Sequence, residues 1–227
     1  GLIHGNSEEM RAALFDYANR VRANSELLIG AQSQIQSLEQ KSNQVFHALV
    51  ACGASEQDLE FVSFAIEQAD KIVIATDAAL NCGELTPGQL FDRGYVPIDG
   101  TNPPRFRSRL NSWADSIWRP MLDAIAGHDP RILASGCSDS LGYLPTHMSR
   151  FSHEPTGDLA HDTQYCRNGR ILLSDLDRTA KASTEPFFTA VYRHEGDGSH
   201  YAVTRNVYVP LWFQGRRWGD LEIAYVL

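Results

Sequence analysis

Apolar residues along the first fifty positions recur every three to four residues, and the recurrence fits heptads. With Leu14 at an a position, the a series is Leu14, Val21, Leu28, Ile35, Ser42 and Leu49. The d series is Tyr17, Asn24, Ala31, Leu38, Val45 and Cys52, so nine of these twelve sites are apolar or aromatic. Such a stripe predicts one long helix over about 8–52 with a coiled-coil seam. An amphipathic helix packed on its own domain would show a similar stripe. Asn24 and Ser42 weaken the seam, although a buried Asn can also fix register.

Gly53-Ala54-Ser55 breaks the first pattern. Ser55 ahead of Glu56, Gln57 and Asp58 reads as an N-cap with acidic residues in the first turn. The helix that follows runs to Asn81, with Gly83 as its C′ residue. Thr86 and Pro87 open a short turn of helix, and residues 92–104 read as a loop rich in Gly and Pro. A further helix is expected from Arg105 to about Ala126, kinked or interrupted at Pro120. The arginines between 105 and 109 would then line a solvated helix face.

After Asp129-Pro130 the period shortens to that of strands. Five are expected: 132–138, 143–147, 187–194, 201–213 and 218–226. Pro145 demotes the second to an edge strand or bulge, and Gln214-Gly215-Arg216 makes the last hairpin turn. The fold class is therefore α+β. Long N-terminal, coiled-coil-like helices (8–126) precede a five-stranded antiparallel sheet with flanking helices (127–227).

Composition narrows the function. The chain has 227 residues, 43% of them hydrophobic, and a net charge of −8. That is enough apolar content for a core, and the acidic balance argues against a nucleic-acid partner. Cys52, Cys82, Cys137 and Cys166 form no C-x-x-C or C-x-x-C-H, which excludes a zinc knuckle and covalent haem. They read as reduced thiols. No run approaches the length of a membrane-spanning helix, and no signal peptide is visible. G-x-S-x-G, H-E-x-x-H, P-loop and G-x-G-x-x-G motifs are all absent, so no enzyme is expected.

Four motifs in the last third carry a family likeness. They are Asp139-Ser140-Leu141-Gly142-Tyr143-Leu144-Pro145-Thr146-His147, Cys166-Arg167-Asn168-Gly169-Arg170-Ile171, Glu185-Pro186-Phe187-Phe188 with Val191-Tyr192-Arg193, and Val209-Pro210 through Arg217-Trp218-Gly219. In this order and spacing they resemble the PAS-like or Cache-like ligand-sensing module of a subset of bacterial methyl-accepting chemotaxis proteins. The segment Leu90-Phe91-Asp92-Arg93-Gly94-Tyr95 is similar to one that precedes the module in that subgroup. Arg217 stands where the family has His, and Met148 where it has Asn.

The resemblance implies a small-molecule sensor without catalysis. It implies a homodimer through the N-terminal helices and a chemoreceptor signalling domain in the same chain. It also implies a cytoplasmic location, with a periplasmic sensor as the alternative. Seven residues are candidate ligand contacts: Tyr143, His147, Cys166, Arg167, Arg170, Tyr192 and Trp218. Each has a plainer reading. His147 could instead order a loop backbone, the arginines could brace the fold through carboxylates, and Trp218 could close the last hairpin. Paired arginines suit a carboxylate. His147, His153 and His161 lie near Asp158 and Asp162, but their spacing fixes no geometry, so no metal is expected. No cofactor is required. Non-covalent haem, a redox-reactive Cys166 and a purely structural dimerisation module are the alternative readings.

Overall fold

The chain begins with two long helices separated by the break at Gly53-Ala54-Ser55. In the computed structural model, which describes the backbone of residues 2–195 and 201–227, α1 spans Leu2–Ala51 and α2 spans Glu56–Cys82. Ser55 is the extended residue at the N-cap of α2, its hydroxyl donating to Asp58 rather than capping a backbone N–H, and Gly83 closes the helix at a left-handed φ of 81°, a conformation that a side chain disfavours. Thr86 and Gln89 form a capping box around α3 (Pro87–Leu90).

Two short strands follow, β1 (Val96–Pro97) and β2 (Phe106–Arg107), paired antiparallel. The next helix, α4, spans Asn111–His128 and continues past Pro120. It starts six residues later than the sequence pattern implies because residues 105–107 have other partners. Ile98 N donates to Arg105 O at 2.9 Å, and Phe106 N donates to Gly169 O at 2.7 Å. Arg105 does not line a solvated face. It is buried, and its guanidinium donates to the carbonyl and side-chain oxygens of Asn168 at 2.8 and 2.7 Å.

The main sheet has four strands, not five. They are β3 (Ile132–Asp139), β4 (Phe188–Glu195), β5 (Tyr201–Phe213) and β6 (Arg216–Tyr225), antiparallel in the order β3-β6-β5-β4. The expected second strand, 143–147, makes a single bridge, from Tyr143 to Ile171. Pro145 has no N–H to give a ladder, and the segment is instead buried beside β3. Between β5 and β6, Gln214 and Gly215 both take positive φ (51° and 72°), the two-residue turn whose twist suits a hairpin. A 3₁₀ turn (Ser149–Phe151), α5 (Leu159–Tyr165) and α6 (Asp175–Ala182) fill the stretch between β3 and β4.

Residues 1–45 and 46–227 form two separate units. α2 and α4 belong to the same unit as the sheet. In that unit one face of the sheet packs on α2 and α4, through Val207, Val209, Leu211, Phe213, Leu221, Ile223 and Tyr225 against Phe61, Ile72, Trp118 and Leu122. The alternate residues point the other way, toward α6 and the chain around His147 and Arg167. In the unit of residues 1–45, Leu14, Tyr17, Val21, Leu28, Ile35 and Leu38 are all exposed. No helix among the described residues is long and apolar enough to cross a membrane.

Candidate functional site

The second face of the sheet is polar where the first is apolar. On β5, Thr204, Asn206 and Tyr208 are buried, alternating with Val207 and Val209. On β6, Asp220 and Glu222 alternate with Leu221 and Ile223. β3 contributes Ser138, and β4 contributes Phe188, Ala190 and Tyr192.

Buried charges here are paired. Lys181 from α6 donates to Ser138 Oγ (2.6 Å), Asp220 Oδ2 (3.0 Å) and Glu222 Oε1 (3.3 Å). Arg217 donates to Asp220 Oδ1 at 2.7 Å. Burial works against the Lys181 charge, but Glu222 and Asp220 outweigh it and hold the ammonium above its usual pKa. Burial pushes the Glu222 carboxyl up, with Lys181 opposing. Tyr208 donates to Asp177 Oδ1 at 2.9 Å and accepts from Asn206 Nδ2 at 3.1 Å.

Arg167 and Arg170 differ from these groups. Both are half-buried, and neither lies within ion-pair distance of a carboxylate among the described residues. Arg167 Nε donates to Gln164 O at 3.0 Å, and its guanidinium sits 4.1 Å from the centre of the Phe151 ring. Arg170 donates to Thr163 O at 3.1 Å. Burial lowers the pKa of both guanidinium groups, the Arg170 and Arg150 charges add to that at Arg167, and no carboxylate offsets it at either. Tyr192 reaches Asn206 Oδ1 at 3.4 Å and is 36% exposed. Burial, then Glu222 and Asp177, push its hydroxyl to about 12, while the Arg167 charge pulls it down.

The seven candidates therefore separate. His147, Phe151 and Arg167 form a chain of neighbours: the His147 ring meets Phe151 edge-on at 5.2 Å, Phe151 lies under Arg167, and the Arg167 charge reaches the Tyr192 hydroxyl. His147 is buried, and its Nδ1 accepts from Met148 N at 2.8 Å. Tyr143 lies elsewhere, donating to Asn111 Oδ1 (2.8 Å) and Phe106 O (3.1 Å) and stacked on Tyr95. Trp218 is on the opposite face, packed on Trp118 with its Nε1 donating to Leu90 O at 2.8 Å. Cys166 is buried, and burial followed by Asp162 raises its thiol pKa, the reverse of a reactive thiolate.

Sequence reasoning passed over Lys181, Asn206, Tyr208, Asp220 and Glu222. The signal was present in Asp220 and Glu222, two carboxylates alternating with Leu221 and Ile223, because a strand places such residues on one face. A shallow recess of about 320 Å³ between α2 and α4, lined by Phe64, Glu67, Gln68, Lys71, Ala124 and His128, holds none of the seven candidates.

No family model and no curated protein matches this chain. Among solved structures, it is similar to an extracellular ligand binding receptor from Desulfohalobium retbaense DSM5692, at a TM-score of 0.36 and 10% identity. The match covers 75% of this chain and 23% of that one. This score lies below the level at which two chains share a fold.

Proposed function

We propose that this chain is a ligand-binding sensory module of the PAS or Cache type, from a bacterial chemoreceptor-like protein. Its ligand is a small molecule bearing a carboxylate, received at Arg167 beside Tyr192 on the polar face of the sheet. The observation that carries this reading is the pair of half-buried guanidinium groups without carboxylate partners. Burying a charge without its counter-ion is costly, and a ligand carboxylate would offset that cost with bidentate hydrogen bonds. The four motifs in family order point to the same class of protein. The module binds and does not catalyse. It works as a homodimer through α1, joined to a signalling domain in the same polypeptide. We place it in the cytoplasm, the periplasm being the alternative.

Ligand binding would favour one packing of the polar face, and β4 transmits it. His47, near the end of α1, accepts from Thr189 N on β4 at 3.2 Å and packs on Phe188 at 4.9 Å. Tyr192 lies on the same strand, so a shift at the site moves the strand that holds the end of α1.

A thermal-shift screen of small carboxylates and amino acids tests the reading. A ligand present at a hundred times its Kd should raise Tm by about 5–10 °C. Arg167→Ala should abolish the shift, whereas Arg216→Ala, on the exposed hairpin, should leave it. A ligand whose shift survives Arg167→Ala would place the site elsewhere. A panel without any shift would turn the reading toward a structural module.

A further inference from the structure

His161, Asp162 and Cys166 converge on one side of α5, and one donor atom from each lies within 4.8 Å of the other two. His161 Nδ1 stands 3.0 Å from Asp162 Oδ1, and Cys166 Sγ stands 3.7 Å from the same oxygen. Local structure produces this convergence. Asp158 caps α5 by accepting from His161 N at 2.7 Å, and positions 162 and 166 lie one turn apart on the same helix face.

The 3.7 Å separation suits two ligands of a tetrahedral ion, whereas the 3.0 Å pair would have to open and the widest pair, within 4.8 Å, would have to close. Sulfur, nitrogen and oxygen ligands at their usual distances from zinc, in a tetrahedron, lie about 3.3–3.7 Å from one another. Small side-chain movements would seat an ion among the three. The carboxylate is already oriented by Thr156 N (2.8 Å), Thr156 Oγ1 (3.0 Å) and Gly157 N (3.0 Å), the kind of outer support that metal-binding carboxylates have. The fourth position falls to water or to His153, whose ring lies 5.9 Å from that of His161. Asp162 and Cys166 are buried while His161 is half-exposed, so an ion would enter from the His161 side.

We propose that His161, Asp162 and Cys166 bind a zinc-type divalent cation. The mixed soft and borderline donor set selects zinc or a neighbouring first-row ion over calcium or magnesium. On binding, the Cys166 thiol proton leaves to solvent, the sulfur lone pair bonds to the ion, and no electron is transferred. The ion replaces the hydrogen bonds that now join Asp162 to His161 and Cys166. Arg167 follows Cys166 directly, so occupancy would fix the backbone that carries its guanidinium. The site stands on its own geometry and does not depend on the carboxylate reading.

Cobalt(II) titration tests it, in a Cys52→Ser, Cys82→Ser background because both of those thiols are exposed. One cobalt ion per chain is expected, with thiolate-to-cobalt charge-transfer absorption in the near ultraviolet, and zinc should displace it. Cys166→Ser should abolish the band. His161→Gln, at a half-exposed position, should keep the native circular dichroism and weaken cobalt binding by at least about tenfold. The absence of a charge-transfer band overturns the proposal. So does a band that survives Cys166→Ser, or an affinity unchanged in His161→Gln.

Discussion

At His147, burial and hydrogen bonding fix a protonation state. The residue is 6% exposed, and Met148 N donates to its Nδ1, so the neutral ring carries its proton on Nε2. Burial first, then the Arg167, Arg150 and Arg119 charges, draw its pKa down to about 3. An unfolded chain protonates this ring near pH 6.5. The stability held by neutral His147 is thus present above that pH and lost as pH falls from 6.5 toward 3. Between pH 7 and 5 the loss amounts to about 2 kcal/mol. Urea unfolding should show wild type losing that much more than His147→Gln over this interval, and equal losses in both would refute the buried neutral state. The sequence could single out His147 and Arg167 by their motifs, but it could not orient Trp218. Strand parity puts Trp218 on the side of Asp220 and Glu222. A register shift, with Leu211 opposite Gly219 and Trp212 opposite Arg217, leaves Trp218 unpaired and turns it to the apolar face.

Among elements, α2 is tied to the sheet by a buried carboxylate at its first turn. Asp58 accepts from Arg205 Nη1 on β5 at 2.8 Å and from the Tyr225 hydroxyl on β6 at 2.6 Å, and it also accepts from Ser55 Oγ. Burial alone would raise its pKa, but the bonds from Ser55, Tyr225 and Arg205 outweigh burial and lower it. Asp58→Ala leaves Arg205 and Tyr225 without their acceptor, and a break of that kind costs about 3 kcal/mol. Denaturant titration should show the loss as a lower midpoint at unchanged slope. A loss near zero would mean that apolar packing alone holds α2. The ends of α2 and α3 were legible because their signals are local, with Ser55, Gly83, Thr86 and Pro87 standing where the sequence places them, whereas the start of α4 was not. The sheet was less legible. Residues 143–147 carry strand-like residues, yet their partners lie around Gly169 and Arg170, with Leu144 N donating to Arg170 O at 2.9 Å. Pairing over that distance leaves no local signature.

At the scale of the whole molecule, the proposed homodimer rests on the exposed seam of α1. Leu14, Tyr17, Val21, Leu28, Ile35, Leu38, Val45 and Leu49 are each at least 49% exposed, and all lie at a or d positions of one heptad frame. Helix propensity alone holds a long polar helix only weakly in water, and most helical stability comes from packing an apolar face. In the proposed homodimer a second copy of the same stripe would supply that packing, knobs into holes. Leu28→Glu with Ile35→Glu places four charges in the centre of a two-stranded seam. Light scattering should then report a monomer where wild type is a dimer, with a large loss of helical signal at 222 nm. Near-ultraviolet dichroism should stay unchanged, because Trp113, Trp118 and Trp218 are buried among residues 46–227. The two signals separate the explanations. If both collapse together, the seam is part of the core of the unit of residues 46–227. If wild type is itself a monomer with full helicity, the seam has no partner in this chain, and the dimeric reading of the module fails with it.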